Sequence, residues 1–220
     1  MKIFSQFLAV VFHPLTVVLY SLLLLQLFNP YEFVVENDKA KVIMFLLIGM
    51  LSLGFPLIAL ASMHFLEITK PMEMTDKQER IVPLIIAALF YLWLYINIRS
   101  NTLVPGIFTS IVLGATLAIF LAFFINNFAN IHLHSIGMGS LVMVIILFMA
   151  IFPNHQCRLD LFPFGVFEFD LSLFLILAIL LTGILAFAAK KYHNYSDQDI
   201  YGGAFVGAFS QCLAFSIVYL

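Results

Sequence analysis

An all-α fold, a polytopic transmembrane bundle of about 6–7 helices, is what this sequence predicts, on three observations. The 220-residue chain is 63% hydrophobic and only 10% charged, with a mean hydropathy of +1.08. A soluble domain carries about 25% charged residues, so lipid rather than water must cover this surface. The apolar residues fall into seven runs, approximately Ile3–Phe28, Ala40–Leu66, Ile81–Ile98, Leu103–Ile125, His134–Phe152, Leu171–Ala189 and Ile200–Leu220. Each is near the ~20 residues that cross a bilayer core. Charged residues lie almost wholly between the runs, as expected when each costs roughly 2.5–3.5 kcal/mol at mid-bilayer. No soluble domain fits in the gaps and no internal repeat is visible, so residues 1–220 read as one membrane domain.

The first run is longer than a cleavable signal core and lacks a small-residue cleavage pattern, so it reads as a retained helix. It contains His13-Pro14. Proline removes one backbone hydrogen bond and predicts a kink whose freed carbonyl a neighbour must satisfy; His13 reads as a packing residue there, with a functional role as the alternative. The Tyr31–Lys41 loop mixes Glu32, Glu36, Asp38, Lys39 and Lys41 as a solvated segment would. The second run carries Gly49, Gly54 and Pro56, then His64 towards its far end. Most of the charged gap Glu67–Arg80 reads as a solvated linker, but Arg80 stands directly against the third run. Cys157 and Cys212 have no metal-ligand spacing and read as small hydrophobes.

Counting crossings sorts the gaps by side. Seven crossings place the N-terminus and the gaps Glu67–Arg80, Asn126–His134 and Lys190–Asp199 on one face. The loops Asn29–Lys39, Arg99–Thr102 and Pro153–Asp170 lie on the other. Arg80, His132, His134, His193, Asp197 and Asp199 therefore share a side. That side also holds Lys2, Lys70, Lys77, Lys190 and Lys191, against Lys39, Lys41, Arg99 and Arg158 opposite. Six basic residues against four predict a cytoplasmic histidine face under the positive-inside rule. Compact loops without a eukaryotic sorting signal point to a bacterial inner membrane. A net charge of −2 without a basic tract excludes nucleic acid as a partner.

One face thus collects a guanidinium, imidazoles, lysines and carboxylates at helix ends. Arginine offers a planar donor fork suited to phosphate oxygens. A histidine held by a carboxylate can attack phosphorus while a second protonates the leaving oxygen. A helix starting near His134 adds its positive end. Phosphate-ester chemistry at the membrane surface is the sharp reading of these residues; polar groups gathering at helix ends, as in any membrane protein, is the bland one.

Three stretches resemble the signature of the type 2 phosphatidic acid phosphatases, lipid phosphatases related to the vanadium haloperoxidases. Asn130-Ile131-His132-Leu133-His134-Ser135-Ile136-Gly137-Met138-Gly139 is similar to the family's middle piece in its shortened form, Lys-Ile-Ser-x-His followed by glycines. Asp76-Lys77-Gln78-Glu79-Arg80-Ile81-Val82-Pro83 looks like the first piece, and Asp199-Ile200-Tyr201-Gly202-Gly203-Ala204-Phe205-Val206-Gly207 looks like the opening of the family's last helix. The resemblance runs from about residue 67 or 76 to the C-terminus, after two extra N-terminal helices. It implies a helical core that hydrolyses phosphate or pyrophosphate esters of lipids through a histidine nucleophile, without metal or cofactor. It places His134 as general acid and Arg80 on the phosphate. The implied partners are membrane lipids, among them a lipid phosphate or an isoprenoid pyrophosphate.

The departures are specific. Aligning Asp199 and its glycines puts Tyr195 at the nucleophile position; shifting by two gives His193 followed at i+4 by Asp197 but breaks the glycine register. Neither register supplies the arginine six residues earlier, where Ala189 or Phe187 stands, and Lys190 is a nearby point charge rather than a fork. Lys77 lies three residues before Arg80 instead of seven, and His132 replaces serine. Three readings follow. One is an active phosphatase with His193 as nucleophile, Asp197 or Asp199 behind it, His134 as acid, and Arg80, Lys77, Lys190 and His132 on the phosphate. Another is a non-catalytic relative that binds a lipid or anionic headgroup. The last is a small transporter using His13 and His64 within the membrane.

Overall fold

The computed structural model describes residues 11–35, 37–65, 77–160 and 165–219; the side chains of His64, Asp160 and His193 lie outside that description. Regular structure runs α1 (Val17–Phe28), α2 (Asp38–Gly49), α3 (Phe55–Phe65), α4 (Ile81–Ile98), α5 (Gly106–Phe128) and α6 (Leu133–Ile151), then β1 (Gln156–Asp160), β2 (Val166–Asp170), α7 (Leu171–His193) and α8 (Asp197–Tyr219). Six helices among the described residues are long and apolar enough to cross a membrane: Asp38–Met63, Gln78–Ile98, Gly106–Phe128, Leu133–Ile151, Leu171–Tyr192 and Asp197–Tyr219. The protein is an all-α transmembrane bundle.

The first apolar run differs from expectation. Its described helix covers only Pro14–Phe28, and residues 1–10 lie outside the described residues. Proline disfavours helical angles in the residue before it, and His13 is extended at φ −63°, ψ 142°. The helix therefore restarts at Pro14, with proline in its favoured first-turn position, instead of bending through it. The second run crosses as one span because α2 and α3 are joined by a π-helical turn, Met50–Gly54. Pro56 has no N–H to offer the preceding turn, and the wider turn takes up the mismatch. The buried Ser52 hydroxyl donates to the Ile48 carbonyl at 2.7 Å within it.

The described residues of the Pro153–Asp170 loop include regular structure that the sequence did not suggest. They hold a two-stranded antiparallel hairpin that pairs Cys157 with Phe169 and Leu159 with Phe167. Asp170 then caps α7, accepting from the Ser172 amide at 2.9 Å.

Glycine decides where the bundle is tightest. In lipid, helices associate through close packing more than through hydrophobic drive. A Cβ on Gly139 would collide with the Ala204 carbonyl, and one on Gly207 with the Ile136 carbonyl. A Cβ on Gly203 would stand 2.7 Å from the His132 carbonyl oxygen. Residue numbers rise together along these contacts, so α6 and α8 run parallel at backbone contact. On its other side α8 lies antiparallel to α5, where the Gln211 carboxamide fills the space left by Gly114 and donates to the Ile111 carbonyl at 3.4 Å. Around this centre the helices thin out: 67% of the α5 span is buried, against 22% for both the α2–α3 span and the α7 span. Those outer helices turn Leu46, Leu47, Ile58, Ile176 and Leu180 outwards, as a lipid-facing layer does.

Candidate functional site

The starts of α4, α6 and α8 and the break before α1 meet at one end of the bundle, and the residues gathered there come from four distant parts of the chain. Arg80 closes a 3-10 turn, Gln78–Arg80, that leads into α4. The turn is pinned from α5: Asn126, itself buried, donates from Nδ2 to the Lys77 carbonyl at 2.8 Å. Arg80 is only 5% exposed. Its Nη1 donates to the Ile131 carbonyl at 3.3 Å, and its Nη2 donates to the Tyr195 hydroxyl at 2.6 Å. A fork that grips two partners in two directions is held far more firmly than a solvated arginine side chain.

Tyr195 reaches Arg80 because of the turn between α7 and α8. Asn194 ends α7 in the left-handed region, φ 53° and ψ 30°, a conformation that asparagine tolerates better than most residues. Its own N–H and that of Tyr195 both return to the Ala189 carbonyl, the latter at 3.4 Å, which closes the helix end. The next helix starts from a reciprocal cap: the Asp199 amide donates to the Ser196 hydroxyl at 3.2 Å, and the Ser196 amide donates to the Asp199 carboxylate at 2.9 Å. One tight reversal thus sets Tyr195 over the site.

The two histidines of the Asn130–Ser140 stretch lie beside that phenol. His132, buried at the start of α6, shares a 2.8 Å hydrogen bond between its Nδ1 and the Ser135 hydroxyl. Its amide donates to the Asp199 carbonyl at 3.2 Å, tying the start of α6 to that of α8. Its ring centre is 4.7 Å from that of Tyr195 and 5.4 Å from that of His134. His134 continues the row to His13, 5.8 Å away and edge-on. His13 is oriented by the helix restart, its Nδ1 accepting the Leu15 amide at 3.3 Å. Arg80, Tyr195, His132, His134 and His13 therefore form one contiguous row.

The remaining expected residues sit around this row in other roles. Lys77 meets it through its backbone carbonyl, which accepts from Asn126 and from the Arg80 amide. Lys190 and Asp197 form an exposed ion pair at 2.8 Å across the α7–α8 turn. The Asp199 carboxylate is occupied by the Ser196 cap. His193 is the last residue of α7, and its side chain lies outside the described residues. Arg80 binds the Tyr195 hydroxyl. Asn126 was missed: a lone polar residue at a helix end gives no signal in a sequence until its long-range partner is known.

Chemically, the row offers a guanidinium donor, a phenol and three imidazoles at the converging N-terminal ends of α4, α6 and α8, where helix dipoles favour negative charge. No metal-binding group of three or more His, Cys, Asp or Glu residues occurs among the described residues. No family model, no curated protein and no solved structure matches this chain.

Proposed function

We propose that this membrane protein holds the phosphate head of a lipid at the row Arg80, Tyr195, His132 and His134, and that it retains the phosphate ester rather than cleaving it. The observation that carries the reading is the 2.6 Å hydrogen bond from Arg80 to Tyr195. In the register that aligns Asp199 and its glycines, the phosphatase family that this chain resembles has at the Tyr195 position a histidine nucleophile oriented by a carboxylate. A phenol needs a base to remove its proton before it can attack. Neither nearby carboxylate is directed at it: Asp197 pairs with Lys190, and Asp199 caps α8. Of the groups the resemblance implies, Arg80 stands ready to bind phosphate, with His134 in the same row. A buried guanidinium gives charge-assisted hydrogen bonds to phosphate oxygens, each worth about 1.5–3 kcal/mol. The imidazoles add donors, and three helix starts add favourable potential.

The ligand class is a lipid phosphomonoester or an isoprenoid pyrophosphate, presented from the leaflet at the histidine end. A bacterial inner membrane with that end towards the cytoplasm is the setting that fits. The reading is tested by incubating purified protein in vesicles with phosphatidic acid and with an isoprenoid pyrophosphate and measuring inorganic phosphate. Retention of both lipids unhydrolysed is expected. Phosphate release that disappears in His134→Ala would overturn the retention half of the proposal and restore the hydrolytic reading.

A further inference from the structure

The hairpin at the opposite end has two unlike faces. Strand alternation puts Cys157, Leu159, Phe167 and Phe169 on one side, and Gln156, Arg158, Val166 and Glu168 on the other. The polar side carries the exposed ion pair of Arg158 with Glu168 at 2.7 Å. The apolar side begins as bundle core. Cys157 is buried within it, and Leu159 and Phe169 pack against it. Further along β2 the same face leaves the bundle: Phe167 stacks on Phe169 with ring centres 6.4 Å apart and is 43% exposed.

The base of the hairpin is fixed to two membrane spans. The Leu171 amide donates to the His155 carbonyl at 2.8 Å, and the His155 ring is hydrogen-bonded to the Met149 carbonyl at 3.0 Å near the end of α6. β2 runs into α7 without a break, and Leu173, just beyond the junction, is already an exposed apolar residue of the lipid-facing layer. Two strands of about 17 Å, at roughly 3.3 Å per residue, therefore start at the level where α6 and α7 leave the hydrocarbon. An apolar face continuous with the core and with the lipid-facing layer, backed by a charged face, has the pattern of an interfacial element whose apolar side enters the headgroup–acyl boundary.

We propose that the β1–β2 hairpin lies on the membrane with Phe167 inserted into the headgroup–acyl boundary of the leaflet opposite the histidine row, and with Arg158 and Glu168 facing water. The surface's partner is the lipid bilayer. The inference stands apart from the phosphate-binding reading, since it concerns the other end of the bundle and needs no headgroup chemistry.

Trp93 is the one tryptophan of the chain, so its replacement opens a clean optical test. In a Trp93→Phe background, Phe167→Trp and Val166→Trp place the probe on opposite faces of the same strand. The proteins are reconstituted in phosphatidylcholine vesicles containing a lipid brominated near the head of its acyl chain. Phe167→Trp is expected to be quenched at least about twofold more strongly than Val166→Trp, as insertion to about 5–10 Å requires, and iodide in the water should give the reverse order. Equal bromine quenching of the two, or stronger iodide quenching of Phe167→Trp, would overturn the proposal. Leu159→Trp against Arg158→Trp on the partner strand gives the same comparison if the Phe167 replacement does not fold.

Discussion

At the end of the bundle that carries Arg80, four hydrogen bonds join residues far apart in the chain, beside local ones such as the Ser196–Asp199 cap. Arg80 binds Tyr195 and the Ile131 carbonyl, Asn126 binds the Lys77 carbonyl, and His132 binds the Asp199 carbonyl. At the other end the contacts are local: Arg158 meets Glu168 across one hairpin, Asp170 caps the helix it precedes, and Asn154 accepts from the amide of Gln156. Local polar contacts finish off loops and helix ends, and any membrane protein needs them. Long-range ones require several helices to agree on one point, and burying an arginine costs free energy unless that agreement is met. That difference is the reason the proposed phosphate site is put at the Arg80 end.

Substitutions at the two ends should separate accordingly. The largest effect is expected where the long-range end rests on helix contact. Gly207→Leu would push a branched side chain into the Ile136 backbone, which cannot yield as a flexible side chain can. Even ordinary overpacking costs about 1–3 kcal/mol, so loss of the monodisperse protein in size-exclusion chromatography is expected. A well-behaved Gly207→Leu protein would show that the α6–α8 contact is not what assembles the row. At the local end, Arg158→Ala removes an exposed ion pair and should shift thermal stability by no more than about 0.5 kcal/mol. A larger shift on melting would give the hairpin a weight like that of the long-range contacts.

The smallest effect is one of pH. Hydrogen bonds from Ser172, side chain first and then backbone, hold the Asp170 carboxyl below its ordinary value of 3.8. A carboxyl lowered in the folded state stabilises above its unfolded pKa, and that contribution fades as pH falls through the folded value. The stability difference between wild type and Asp170→Ala should therefore be present at pH 7 and shrink below about pH 4. A difference that stays constant through that range in a melting series would remove the carboxylate from the account of the α7 cap.

Much of the fold could be read from the chain because lipid imposes a simple rule. Long apolar runs bounded by charge specify helices, and the third run, Ile81–Ile98, matches α4 to the residue. Counting those runs also put Arg80, His132, His134 and the α7–α8 turn on one side, and the contacts among them lie there. The hairpin was not legible: the alternation of Cys157, Leu159, Phe167 and Phe169 runs over only five positions a strand and is blurred by Val166 on the opposite face, too short a pattern to stand out in a connecting loop. The place of His13 was hidden for a different reason. His-Pro within an apolar run signals an interruption, but only the packing of α1 on α6, with Pro14 set against Gly137, brings its ring to His134. The α7–α8 turn that brings Tyr195 to Arg80 rests on one left-handed residue, Asn194, which no periodicity in the sequence encodes.

Arg80, Tyr195, His132 and His134 are proposed to make one phosphate-binding site from distant helices. The most direct test compares the affinity of the purified protein for phosphatidic acid with that for diacylglycerol, the same lipid without its phosphate, in wild type and Arg80→Gln. Wild type should prefer phosphatidic acid by about tenfold or more, the equivalent of one charge-assisted hydrogen bond, and Arg80→Gln should lose that preference while keeping its helical content. Equal binding of the two lipids by wild type, or a preference unchanged in folded Arg80→Gln, would contradict the claim.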